Sequence, residues 1–161
     1  FQRVQLNFHA EKTPCDRFLF PSALKRIGKD FIFQIDGANG NEHLETAHAE
    51  EVGNCYGLFD LSGGAGILPR EWPAPYYIDV VPGLDGEGVE VPAYHGYAGG
   101  LGPENLAEQI ACIAKAAGDA RIWIDMETRV RSVDDRLFDL DKVRRCLETA
   151  APFIQQASSV L

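Results

Sequence analysis

The residues best placed to do chemistry are Gly99-Gly100-Leu101-Gly102-Pro103-Glu104-Asn105-Leu106. They follow a strand-like run, Ala93-Tyr94-His95-Gly96-Tyr97-Ala98, and open a helix-like run that reaches about Ala117. Strand, glycine turn and helix together aim backbone N–H groups at an anion, and a helix N-terminus adds roughly half a positive charge. Gly99 and Gly100 let a ligand approach without a Cβ in the way. Pro103 stands where a first helical turn has no use for an N–H. The ligand such a turn suits is a phosphate. A second set of chemical residues stands at the ends of strand-like runs: Asn7 and His9, Asp36, Asp60, and Asp125-Met126-Glu127-Thr128-Arg129. A carboxylate there can act as a general acid or base if desolvation raises its pKa, or it can cap the following loop.

These residues need elements to hold them, and the hydrophobic pattern supplies alternating strands and helices. Arg3–Phe8, Phe31–Asp36, Tyr56–Asp60, Ala93–Ala98 and Arg121–Asp125 read as strands. Ser22–Ile27 and Glu42–Glu51 read as helices, the second closed by Gly53. Leu106, Ile110, Ile113 and Ala117 recur at helical spacing, with Gly118 as a stop. Asp139 is the expected N-cap of a last helix, with Leu140, Val143, Leu147 and Ala150 on one face. The alternation predicts an α/β domain with a parallel sheet, in which ligands sit at the C-terminal ends of strands. Pro69–Pro92 breaks the rhythm and is expected to be an extended loop insertion with one strand-like run, Tyr76–Val81. Residues 1–161 otherwise read as one domain.

Composition excludes several functions. The formal net charge of −9 argues against non-specific nucleic-acid binding, so an anion site must be local, with Arg70, Arg129 and Arg131 as its available cations. No apolar run approaches the roughly 20 residues of a membrane span. Cys15, Cys55, Cys112 and Cys146 form no CxxC pair and read as reduced thiols of a cytoplasmic protein, with Cys112 and Cys146 on apolar helix faces. His43 and His48 read as exposed helix residues. A metal hydrolase built on His9, Asp36, Asp60, His95 and Asp125 is an open alternative, although no HxH or HExxH motif occurs.

In order along the chain, Val4-Gln5-Leu6-Asn7-Phe8, Leu58-Phe59-Asp60 with Gly63-Gly64-Ala65-Gly66 and Trp72, Ala98–Asn105, Ile124–Val130 and Phe138–Val143 resemble the fourth, sixth, seventh and eighth strands and the final helix of phosphoribosylanthranilate isomerase, a (β/α)8-barrel family. The resemblance implies a partial TIM barrel, or one completed by association, where an open flavodoxin-like sheet is the alternative. It implies an Amadori-type isomerisation of a phosphorylated sugar-amine, with no cofactor and no metal. Asp60 takes the place of the family's general acid, and Asp36 is a second candidate for base or polar support. The phosphate positions become Gly64, Gly66, Gly99, Gly100, Thr128 and Arg129. The family's general base, a Cys at the end of its first strand, and its second-strand Arg have no counterpart in this chain, and Arg129 stands where the family has Gly. A phosphate-ligand-binding relative without catalysis is therefore the competing expectation. Five strands leave two open edges, which predicts a homo-oligomer or strands supplied from elsewhere.

Overall fold

A computed structural model of the chain describes residues 2–6, 19–36, 41–61, 65–80 and 89–154. In chain order the elements are β1 (Arg3–Leu6), α1 (Leu19–Ile27), β2 (Asp30–Ile35), α2 (Asn41–Ala49), β3 (Cys55–Phe59), β4 (Tyr77–Val80), β5 (Val89–Pro92), β6 (His95–Tyr97), α3 (Leu106–Ala117), β7 (Ile122–Ile124), a 3-10 turn at Thr128–Val130, α4 (Leu140–Ala150) and a second 3-10 turn at Ala151–Phe153. Five strands form one sheet in the order β1-β2-β3-β6-β7, and every pairing in it is parallel. The order follows the chain without reversal, which is single winding; a doubly wound sheet reverses direction at its switch point.

The register sorts the strand residues onto two faces, because side chains alternate with period two. Leu6, Phe31, Phe33, Ile35, Cys55, Phe59, Tyr97, Ile122 and Ile124 share one face and pack with Leu24 of α1, Leu44 and Ala47 of α2, and Ile113 and Ala117 of α3. A smaller cluster joins Leu106 and Ile110 of α3 to Val130 and to Cys146 of α4. The helices thus contribute to the core on this face. The helix stripe Leu106, Ile110, Ile113, Ala117 is buried as its spacing predicts, and α3 ends at Gly118 with φ 57°.

The opposite face carries Arg3 and Asp30, then Gln5, Ile32, Tyr56, Tyr94 and Arg121, then Gln34, Leu58, Gly96 and Trp123, and finally Asp36, Asp60, Ala98 and Asp125 at the C-terminal rim. The guanidinium of Arg3 lies 5.8 Å from the Tyr94 ring centre and that of Arg121 lies 5.2 Å from it. Tyr94 stands three strands from Arg3, about 14 Å on a flat sheet, so the sheet curls towards this face. Tyr94 and Tyr56 meet edge to face, and both touch Trp123. Trp123 lies over Gly96, where a Cβ would occupy the space of the indole.

Several expectations need correction. The 69–92 segment is not only a loop, since β4 and β5 pair as an antiparallel two-stranded sheet. It is tied to the core by Trp72, whose Nε1 donates to Gln109 Oε1 (2.9 Å), and by Tyr97, whose hydroxyl donates to the Pro73 carbonyl (2.8 Å). On α4 the buried residue is Cys146, with Val143 and Ala150 beside it, while Leu140 and Leu147 are exposed. Asp139 does cap that helix, accepting from the N–H groups of Asp141 and Lys142. Cys112 is exposed rather than on the packed face. His43 and His48 are half-buried. His43 packs on Phe20, and His48 Nε2 lies 3.0 Å from the Cys55 carbonyl.

Candidate functional site at the C-terminal rim

Three connections leave the C-terminal ends of neighbouring strands and meet. Gly66, after β3, sits 3.8 Å (as a virtual Cβ) from the Thr128 side chain, after β7. Gly100, after β6, packs on the Gly66–Leu68 backbone, where a Cβ would come within 2.6 Å of the Leu68 nitrogen. Gly102 packs on Arg129, its virtual Cβ 2.7 Å from the Arg129 Cβ. The structure therefore brings Gly66, Gly100, Thr128 and Arg129 together, with Gly99 next to them at φ 107°. Gly64 lies outside the described residues.

The glycine turn is held differently from a bare anion cradle. Asn105 folds back over it. Its Oδ1 accepts from the Gly102 N–H (3.0 Å) and its Nδ2 donates to the Gly100 carbonyl (2.9 Å). The N–H groups of Asn105 and Leu106 turn inward to the Gly102 carbonyl. The first turn of α3 offers an anion the amides of Ala107 and Glu108, which have no intrahelical acceptor. Gly100 is needed less for ligand access than for the close approach of two loops. Among the described residues Arg129 and Arg70 make no ion pair or hydrogen bond. Arg131 is committed elsewhere: its Nη2 donates to Glu127 (2.9 Å), its Nη1 lies 3.5 Å from Asp135, and its guanidinium stacks on Phe138.

Below these loops runs the carboxylate row of the concave face. Asp60 is almost fully buried, at 8% exposure, and its Oδ2 accepts from Gln34 Nε2 at 2.8 Å. Gln34 and Leu58 are the residues beneath Asp36 and Asp60 on that face. Asp36 neighbours Asp60 on one side. Asp125 stands on the other, across Ala98. Although Asp125 as a residue is exposed, partial burial of its carboxyl, then Glu127, then Asp60, raise its pKa above the ordinary Asp value. The sequence named Asp125 as a strand-end carboxylate and as a metal candidate, without linking it to Asp60. Its relation to Asp60 follows from strand order, which residue spacing does not display.

His95 belongs to neither set. It opens β6, at the opposite end of the strand from the rim, and faces the helices. It is fully buried, stacked on Phe59, with Nδ1 3.0 Å from the Ala93 carbonyl. His9 lies outside the described residues. Among the described residues no three His, Cys, Asp or Glu side chains are grouped closely enough to hold a metal ion. Cys55 is buried on the helix side, where burial pushes its thiol up to about 12. Burial, with Glu104 adding to it, also raises Cys146. No described thiol faces the rim, and Cys15 lies outside the described residues.

A cavity of about 450 Å³ opens between β7, α3 and α4, lined by Ile110, Ala117, Ile122, Cys146 and Phe153 among others. It is mostly apolar and runs along β7, with Tyr94, Arg121 and Trp123 of the opposite face also lining it. No described helix is long and apolar enough to cross a membrane. No protein-family model, curated protein or solved structure matches the chain.

Proposed function

We propose that the chain is a phosphate-binding, barrel-type β/α protein resembling phosphoribosylanthranilate isomerase. Its reaction would be the Amadori-type isomerisation of a phosphorylated aldosylamine, with Asp60 as general acid. One observation carries the reading. The connections after β3, β6 and β7 converge at Gly66, Gly100, Gly102, Thr128 and Arg129, beyond the strand ends at which a buried Asp60 follows β3 on the concave face. Single winding, helices on one face and curling towards the other support a barrel over a flavodoxin-like sheet, which carries helices on both faces. Two open sheet edges suit a chain that is completed by a second copy or by further strands.

The chemistry assigned to each residue is limited. The phosphate would rest on the first-turn amides of α3, with the Arg129 guanidinium as a charged fork. Asp60, buried and oriented by Gln34, would protonate the ring oxygen as the ring opens. Asp36 stands beside Asp60 as polar support. The reading needs no cofactor. A second reading, phosphate binding without turnover, is favoured by the positions of Cys55, Cys112 and Cys146, none of which faces the rim.

The test is calorimetric titration with a reduced, non-isomerisable analogue of the product, alongside turnover of N-(5′-phosphoribosyl)anthranilate. Binding that weakens in Arg129→Gln, with turnover lost in Asp60→Asn, is the expected result. Binding without turnover in the unaltered chain selects the second reading. No binding of the analogue refutes both.

A further inference from the structure

We propose that Asp125 is the general base that carries hydrogen between the two reacting carbons, working opposite Asp60 across strand β6. This inference rests on the isomerase reading and adds to it the residue that the resemblance does not supply.

The argument is geometric. β6 lies between β3 and β7, and the register puts Asp60, Ala98 and Asp125 side by side at one level of the concave face. Adjacent strands are about 4.8 Å apart, so the two Asp Cα atoms flank Ala98 at roughly 10 Å. Two short side chains on either side of Ala98 leave a gap at least as wide as one substituted carbon chain. Small residues keep that gap open, because β6 contributes only Gly96 and Ala98 there. Its floor is the Trp123 indole lying over Gly96. One residue beyond Ala98 the chain enters the Gly99–Gly102 turn. A ligand anchored by its phosphate at that turn would lay its carbon chain along β6, with one carboxyl on each side. Partial burial first, then Glu127, then the like charge of Asp60 make the Asp125 carboxylate a stronger base than a free Asp.

The step balances without an external oxidant or reductant. Asp60 gives its proton to the ring oxygen, the bond from C1′ to that oxygen breaks, and the nitrogen lone pair forms a C1′=N iminium. The Asp125 carboxylate takes the C2′ proton. The C2′–H electrons become C1′=C2′, and the iminium pair returns to nitrogen. Asp125 then returns a proton to C1′ while the Asp60 carboxylate takes the C2′ hydroxyl proton, leaving a C2′ ketone and a C1′ methylene and restoring both carboxyl groups to their starting states.

Turnover of N-(5′-phosphoribosyl)anthranilate in D2O, with titration of the reduced product analogue, tests this on the full chain. Asp125→Asn is expected to lower turnover at least 100-fold, the scale of a lost general base, and to abolish deuterium entry at C1′ while the analogue still binds. Asp125→Glu is expected to recover part of the turnover. Wild-type turnover in Asp125→Asn overturns the assignment and leaves the isomerase reading intact. Loss of analogue binding together with turnover makes Asp125 a structural residue and also overturns it. An unaltered chain that binds but does not turn over removes both the isomerase reading and this one.

Discussion

Replacing Gly100 with Ala tests whether the loops above Asp60 are locked together as described. Two penalties apply, and a second glycine separates them. Gly100 has φ 63°, and so has Gly28, which follows α1. A Cβ at Gly28 meets nothing within 4 Å, whereas one at Gly100 comes within 2.6 Å of the Leu68 nitrogen and 2.9 Å of the Gly66 carbonyl oxygen. An L side chain in the left-handed region costs about 1–2 kcal/mol, and Gly28→Ala should show that alone. At Gly100 the backbone of the facing loop must also retreat by about 0.8 Å to reach ordinary contact at 3.4 Å. Backbone cannot rotate away as a side-chain tip can, so an overpacking cost of about 1–3 kcal/mol adds. For a domain of this length each kcal/mol lowers Tm by about 2–4 °C. Gly28→Ala should therefore lower Tm by about 2–8 °C and Gly100→Ala by about 4–20 °C. Thermal melts followed by circular dichroism, with denaturant midpoints as a check, measure both. Equal shifts for the two variants would refute the close approach of the β3 and β6 loops.

Three further outcomes are expected. Burial holds the His95 pKa below its ordinary 6.5, with His48 adding to the effect; the folded chain then binds fewer protons than the unfolded one, so stability is full above about pH 6.5 and falls as pH drops through and below that value. His95→Leu should flatten that part of the stability profile in denaturant titrations, and an unchanged slope would sink the assignment. Asp139→Ala removes the cap on α4 and should cost about 1 kcal/mol, read as a shift in denaturant midpoint; no shift would mean the two amides find other acceptors. Glu127→Gln should lower the Asp125 pKa in a carbon-13 carboxyl titration, since Glu127 is one of the groups that raise it; a value that stays put or rises would contradict the described rim.

Most elements were legible because their signals are local. Strand β2 is a run of aromatic and β-branched residues ending before Asp36. Helix α3 repeats its apolar residues at a period one turn of backbone dictates, Gly118 stands at positive φ as a helix stop, and Gly99 and Gly100 stand at positive φ in the turn before the helix. What was not legible depends on neighbours far away in sequence. Leu147 looks as apolar as Cys146, yet only the second meets Leu106 and Val130. The β4–β5 pairing is hidden in a segment whose prolines and glycines suggest loop. The sequence places His95 inside the Ala93–Ala98 strand and the structure at the start of β6, and a one-residue alternation decides that it faces Phe59 and the helices. The Asp60–Asp125 relation spans 65 positions of sequence and exists only because β6 inserts between their strands.

On the proposed reading, the arrangement of charge at the rim bears on where each part of the substrate lies. Arg129 and the first-turn amides of α3 lie in the connections, beyond the strand ends. Asp36, Asp60 and Asp125 lie on the concave face, below them. On that reading the phosphate lies in the first region and the reacting carbons C1′ and C2′ in the second, so the carboxylate of an anthranilate substituent has to lie away from the row. Opening an aldosylamine ring places positive charge on C1′ and nitrogen, at the end away from the phosphate. Fixed carboxylates at that place stabilise the charge as it develops and do so without rearranging. On the proposed isomerase reading the same row would favour the iminium as it forms, a task that a simple phosphate receptor does not have.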